Sequence, residues 1–303
     1  MDTKNKINIG LLLAASALPS SALQANPKLE PAYLANVALY LNNEADLRKL
    51  PFASRNGQEA LKSLKKNPIP LTDRNRHLFP NVETQVFFSK NDKKFTDGKI
   101  QNYVYGCPIK YKFFLLHKDD RNTTFPYVIF TQKNRKTHTQ PDSELVSYNI
   151  PENVTSLGMS CFEQCRNLKT INIPDRVTSL GRACFAQCQN LETINLPEGI
   201  TSLGRACFFE CVSLEEIIIP NSVTSLGEYC FASCENLKKI TISDNIRNLG
   251  KDCFRFCGQL KNIIIVNTGN SDINDFINML RINLLNSLLN PNEIQITIIP
   301  QQR

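Results

Sequence analysis

The sequence predicts an α/β solenoid with parallel strand ladders, preceded by an N-terminal helical module and closed by a C-terminal helix/strand cap. A 23-residue unit recurs in register without insertion or deletion, and one segment of every unit alternates apolar and polar residues. A single copy cannot bury its own apolar residues, so we expect it to be stable only when stacked on its neighbours. Successive copies begin at Ile150, Ile173, Leu196, Ile219 and Ile242.

Each unit reads Ile-Pro-x-x-Val-Thr-Ser-Leu-Gly-x-x-Cys-Phe-x-x-Cys-x-Asn-Leu-x-x-Ile-x. In the segment 168–173, Ile171 and Ile173 alternate with Thr170 and Asn172, which indicates a short strand with its apolar residues inward. The proline that follows ends this strand. Stacking would place like residues about 4.8 Å apart along parallel strands and join them into continuous apolar ladders.

The rest of the unit predicts a second extended piece, a turn and a short helical segment. Residues 154–157 are extended, and Gly158 permits the turn that follows. The Cys-Phe-x-x-Cys segment at 161–165 is typical of one helical turn.

Ten of the eleven cysteines fall in pairs four residues apart within the repeat. Zinc sites favour Cys-x2-Cys units that converge from separate loops, and thiols four apart on a helical turn are too distant for a disulfide. We therefore predict buried, reduced, structural thiols and no metal, although such thiols fit poorly with an oxidising compartment. The pairs are Cys161/Cys165, Cys184/Cys188, Cys207/Cys211, Cys230/Cys234 and Cys253/Cys257.

With this signature, the region 150–264 resembles the BspA-type leucine-rich repeat, which is abundant in surface proteins of anaerobic bacteria and parasitic protists. The resemblance implies a curved parallel solenoid used in adhesion or protein binding, and it supplies no catalytic residues. Cysteine at position 161, where many relatives have alanine, is similar to the protist branch of the family.

Residues 1–25 have the pattern of a secretory signal. Lys4 and Lys6 precede an apolar core at 9–18, and small residues near Ser20 offer a cleavage site. The core is too short to span a bilayer. A cell-surface or secreted protein is the first interpretation; the alternative is a disordered tail on a cytoplasmic protein.

Residues 26–70 show helical spacing of apolar side chains and predict a small helical module. The stretch 29–64, with Asp46-Leu and Glu59-Ala-Leu, also resembles the F-box, a helical motif that docks adaptors to cullin ubiquitin ligases. It lacks the usual Leu-Pro start and tryptophan. An N-terminal helical cap is the other interpretation, and the strand-rich region 71–149 is interpreted as degenerate repeats.

Residues 265–303 predict a C-terminal cap that covers the last coil. Ser271-Asp272 precedes a helix whose apolar stripe includes Phe276, Leu280, Leu284 and Leu288. A strand follows at 294–298.

Sequence motifs for catalysis, a cofactor or nucleic-acid binding are absent, so we predict no enzyme. His77, His117 and His138 lie in polar, turn-like surroundings, and Cys107 stands alone.

Residues 1–150 carry a net charge of +9 (22 basic, 13 acidic) and residues 151–303 carry −2 (13 basic, 15 acidic). The lysines of the basic half are dispersed rather than clustered, which does not favour nucleic acid.

The outward residues of the strand ladder form the predicted binding face, which is mixed and mildly polar and suits a protein partner. We therefore expect a non-catalytic, protein-binding surface adhesin, with an F-box-like substrate receptor that binds a cullin-ligase adaptor as the alternative. The candidate residues are Thr170, Asn172, Thr193, Asn195, Glu216, Ile218, Lys239, Thr241, Asn262 and Ile264.

Overall fold

The structure is a computed structural model that describes residues 57–136, 144–269 and 272–301, together with Ala35, Ala38, Glu44 and Ala45. The chain divides into two compact units. The first comprises residues up to Ile109 plus Leu116–Pro126, and the second comprises Lys110–Leu115 plus the chain from Tyr127 onward. The predicted secretory signal, most of the F-box-like stretch and His138 lie outside the described residues.

The first unit contains short parallel strands joined by turns. Strand β1 pairs with β2, and β2 pairs with β4, so the chain advances through the sheet in one direction. The Phe87 and Tyr105 rings stack with centroids 4.5 Å apart, and Tyr105 and Phe125 stack at 5.2 Å. In chain order, the elements from Gly57 to Thr124 are helix α1 (Gly57–Ser63), β1 (Thr84–Phe87), β2 (Asn102–Tyr105), β3 (Ile109–Lys110), helix α2 (Tyr111–His117) and β4 (Thr123–Thr124). The segment Lys110–Leu115, which contains most of helix α2, belongs to the second unit.

The second unit is a parallel-strand solenoid with few helices, as the repeat predicts. Its elements in chain order are β5 (Val128–Phe130), helix α3 (Gln132–Lys136), β6 (Ser147–Asn149), β7 (Ser156–Leu157), β8 (Thr170–Asn172), β9 (Ser179–Leu180), β10 (Ser202–Leu203), β11 (Glu216–Ile218), β12 (Ser225–Leu226), β13 (Lys239–Ser243), β14 (Asn248–Leu249), β15 (Asn262–Asn267), helix α4 (Ile273–Asn286) and β16 (Gln295–Pro300).

Two strand ladders run through this unit. The first joins β5, β7, β9, β10, β12 and β14, and pairs each repeat with the next in register, for example Leu157 with Leu180. The second ladder has two parts, β6–β8 and β11–β13–β15–β16. Between them, Thr193–Asn195, at the end of the copy that begins at Ile173, is not a ladder strand, which the regular repeat does not predict.

The Cys-Phe-x-x-Cys segment of each repeat is a series of tight turns, so the prediction of a helical turn there was wrong. The residue before each cysteine has a left-handed backbone, with φ of 55° at Ser160 and 62° at Gln164. Every second N–H is thereby directed to the neighbouring coil, as when Phe162 N donates to the Cys184 carbonyl at 2.7 Å. The bonds join coils and form a third ladder instead of closing a helix.

The core of the solenoid is a set of side-chain columns. The phenylalanines of the five copies stack with centroids 5.3 to 5.9 Å apart and nearly parallel rings. All ten repeat cysteines are buried beside them and free. Gly204 allows the coils to approach closely, since a Cβ there would lie 2.6 Å from the Gly181 carbonyl carbon.

Helix α4 covers the last coil. The Asp272 side chain caps the helix by accepting from Asn274 N at 2.8 Å, and Phe276, Leu280 and Leu284 are buried in the core. Leu288, predicted to lie on the same stripe, is 72% exposed because it follows the helix in a left-handed conformation. None of the helices in the described part of the chain has the length and apolar character needed to cross a bilayer.

Candidate binding face

The second ladder presents two rows of outward side chains on one face of the solenoid, which we call the ladder face. Strand register aligns Glu216 with Lys239 and Ile218 with Thr241, and continues the two rows to β15 and β16. All ten predicted site residues lie on the ladder face and are exposed or half-buried. The structure thus brings them together, while their role in binding stays a prediction.

The ladder face changes chemical character along its length. In its N-terminal half, one row carries hydroxyl groups and the other carries carboxamides, and together they line a groove of about 320 Å³. We call this the amide groove. Its exposed side chains are Ser147, Asn149, Thr170, Asn172, Thr193 and Asn195.

The C-terminal half of the ladder face combines an ion pair with apolar side chains. Lys239 Nζ lies 2.6 Å from Glu216 Oε2, so the two charges neutralise each other in this structure. Ile218 is 69% exposed beside the pair, and Ile264 is half-buried two coils further on. An exposed isoleucine beside a neutralised ion pair is suited to a protein surface rather than to a polyanion.

A family model for the BspA type leucine rich repeat region matches residues 155–284 in six copies. The repeat region is a BspA-type leucine-rich repeat. The match extends beyond residue 264 and contains one copy more than the five recognised from strict register. No curated protein matches the chain.

Solved leucine-rich repeat structures overlap with the chain in part. A leucine-rich repeat protein of T. pallidum is 27% identical over 39% of this chain and 58% of its own, with a TM-score of 0.39. A leucine rich cell surface protein of Faecalibacterium prausnitzii is 29% identical over 46% of this chain and 36% of its own, with a TM-score of 0.42.

A leucine-rich repeat protein of Bacteroides ovatus is 27% identical over 60% of this chain and 47% of its own, with a TM-score of 0.42. The chain therefore spans less than two thirds of each of these three proteins.

The cysteines of the BspA-type repeat are held as thiols by burial and hydrogen bonding. The Cys188 thiol donates to the Phe162 carbonyl at 3.1 Å, and Cys211 donates to the Phe185 carbonyl at 3.2 Å. Burial raises the pKa of Cys207 and of Cys257 to about 12, so both stay protonated at neutral pH. Within the described ranges, no group of three or more His, Cys, Asp or Glu side chains is arranged to hold a metal ion.

Other polar candidates named from the sequence belong to the first unit. His117 Nδ1 lies 3.2 Å from Asp120 Oδ2 near the surface, and Cys107 is half-buried with its pKa raised by burial.

Arg135 is a structural residue that sequence reasoning missed. It is fully buried, its Nε donates to the Cys161 carbonyl at 2.9 Å, and its guanidinium lies 5.5 Å from the centre of the Phe162 ring. A cation over the first ring of the phenylalanine column stabilises that end of the repeat region. The segment 132–136 is polar throughout and gives no sign of a buried residue.

Proposed function

We propose that this protein is a non-catalytic, protein-binding leucine-rich repeat protein that acts in adhesion at the cell surface. Solenoids of this type typically present an extended docking surface on a rigid stack of repeats. The observation that carries the proposal is Ile218, a large apolar side chain left 69% exposed in the middle of the ladder face. Binding sites of protein partners concentrate their free energy in a few such apolar anchors.

The charges of the ladder face support a protein partner. Lys239 is paired with Glu216, so the face lacks the unbalanced positive charge that a nucleic acid requires. Flanking pairs such as Lys169 with Glu192, 3.0 Å apart, balance charge in the same way. The rim around the apolar anchor is thus polar and nearly neutral, as in many protein interfaces.

The apolar core at 9–18, behind Lys4 and Lys6, supports export to the surface. Surface biotinylation and protease treatment of intact cells test this location. A cleaved form that is labelled on intact cells is the expected result.

An adhesion assay with the full chain tests the binding surface. We expect immobilised protein to retain host cells, and Ile218→Asp to reduce retention at least about tenfold, because a charge cannot replace an apolar anchor. The matched control is Met159→Asp, which alters an equally exposed apolar side chain, 66% exposed, away from the ladder face. Equal retention by Ile218→Asp and the control would refute the proposal.

The ten buried thiols favour a second candidate, an intracellular substrate receptor of a ubiquitin ligase. Free thiols persist most readily in a reducing compartment. Cytosolic fractionation and co-purification with a cullin adaptor would support this candidate over adhesion. Asn122 and Asn153 each begin an Asn-x-Thr triplet. An added mass at either asparagine that a glycosidase removes would support export instead.

A further inference from the structure

We propose that the amide groove is a binding site for a neutral, extended oligosaccharide. This site goes beyond protein binding, because it occupies the N-terminal half of the ladder face and does not use Ile218. The groove volume of about 320 Å³ lies at the lower end of the range of small-ligand sites. This volume accommodates part of each sugar unit when several units lie across the coils.

The chemistry of the amide groove is uniform. Each of its six exposed side chains ends in a hydroxyl or a carboxamide, and both groups donate and accept hydrogen bonds. None of the residues lining the groove is ionisable at neutral pH, so an anionic or cationic ligand finds no complementary charge there. Sugar hydroxyls also donate and accept, and they match such a surface.

The spacing of the amide groove favours a glycan over a polypeptide. Thr170 and Asn172 occupy the same positions in their coil as Thr193 and Asn195 do in the next, and neighbouring coils are stacked at about 4.8 Å. Successive units of an extended glycan repeat at nearly this distance. Side chains on one face of an extended peptide recur only every two residues, about 6.7 Å, and so lose register with the coils.

An oligosaccharide array tests the proposal with the full chain. The probes are neutral, sialylated and sulfated oligosaccharides of two to six units, and purified protein is applied at low and at high salt. We expect retention on neutral glycans of three or more units that changes less than twofold with salt, because no charge is involved. Failure to retain any neutral glycan, or a preference for the acidic ones, would overturn the proposal.

Matched asparagine variants locate the binding on the ladder face. We expect Asn172→Ala to weaken binding to the retained neutral glycans about tenfold, through loss of a side chain that both donates and accepts. Asn262→Ala changes the same type of side chain on the same face outside the groove, and it should stay within twofold. An equal effect of the two variants, or complete displacement of the glycan by an unmodified extended peptide, would contradict an oligosaccharide site here.

The Ile218→Asp variant separates this proposal from the proposed function. It should retain neutral glycans normally while it loses adhesion that depends on protein contacts. Loss of glycan retention in this variant would contradict a site confined to the amide groove. Failure of the adhesion assay alone leaves the glycan measurement intact, so each proposal is refuted by its own experiment.

Discussion

At the scale of single residues, the repeat glycines show how the coil spacing is set. A Cβ on Gly204 would lie 2.6 Å from the carbonyl carbon of Gly181 and 2.7 Å from the backbone nitrogen of Arg182. Both neighbours are backbone atoms held by hydrogen bonds between coils, so they cannot give way locally. The glycine is needed for this close approach and not for a positive φ.

Replacing Gly204 with alanine should therefore lower the free energy of unfolding by about 2 to 4 kcal/mol, because the coils must separate to admit the methyl group. Chemical denaturation followed by circular dichroism measures the effect. Gly258→Ala is the control, since a Cβ there meets nothing within 4 Å, and we expect a change within about 0.5 kcal/mol. Equal stability of the two variants would show that the coils are not in close contact.

At the scale of elements, helix α4 closes the end of the apolar columns. Leu280 on its inner side is fully buried, while Leu285 on its outer side is 60% exposed. The inner side chain of Asn283 donates to the Gly250 carbonyl at 2.8 Å and fixes the helix to the last coil. The end coil of a solenoid is exposed to water unless such an element covers it.

Leu280→Asp should detach this cap and lower the unfolding free energy by about 3 kcal/mol or more, because it places a charge in the core. Leu285→Asp makes the same chemical change on the solvent side and should cost less than about 0.5 kcal/mol. Thermal unfolding of both variants measures the difference. A small effect of Leu280→Asp would mean that the helix does not cover the last coil.

The sequence predicts the strand elements well because the repeat fixes them five times over. Strict spacing placed Ile171 inside, Thr170 outside and the ten candidate residues on one face. The tight turns of the Cys-Phe-x-x-Cys segments were missed because residues such as Ser160 and Gln164, unlike glycine, give no sequence signal of a left-handed backbone. The interruption at Thr193–Asn195 was missed because its sequence matches that of β8, so its cause is outside the local sequence.

At the scale of the whole molecule, the thiol columns make the stability of the solenoid dependent on pH. Burial raises the pKa of Cys207 and of Cys257 from 9.0 to about 12. Below pH 9 both the folded and the unfolded chain keep these protons. Between about pH 9 and 12 the unfolded chain loses protons that the folded chain retains, so stability falls as pH rises.

We therefore expect the urea midpoint to be similar at pH 7 and pH 8 and to decrease steadily from pH 9 to pH 10. Each buried thiol contributes a slope of up to about 1.4 kcal/mol per pH unit. The variant Cys207→Ala removes one such group, so its unfolding free energy should decrease less steeply with pH than that of the wild type. An unchanged midpoint up to pH 10 would argue against protonated, buried thiols.

The stacked coils should also open in a definite order, which thiol labelling can follow. An inner coil such as that of Cys207 contacts a neighbour on each side, whereas the last coil, with Cys253 and Cys257, relies on one neighbour and on helix α4. Pulses of N-ethylmaleimide followed by mass spectrometry of peptides measure the rate at each cysteine. Half-buried Cys107 should react first in the native protein, and Cys207 last.

The Leu280→Asp variant turns this order into a test of how far cooperativity extends along the stack. Loss of the cap removes one of the two surfaces that protect the last coil, so labelling of Cys253 and Cys257 should accelerate at least about tenfold. Cys207, two coils away, should keep its rate, because opening its coil still breaks two interfaces. Equal acceleration at Cys207 and Cys253 would show instead that the coils open as one unit, in which case a ligand bound at either half of the ladder face would stabilise the other.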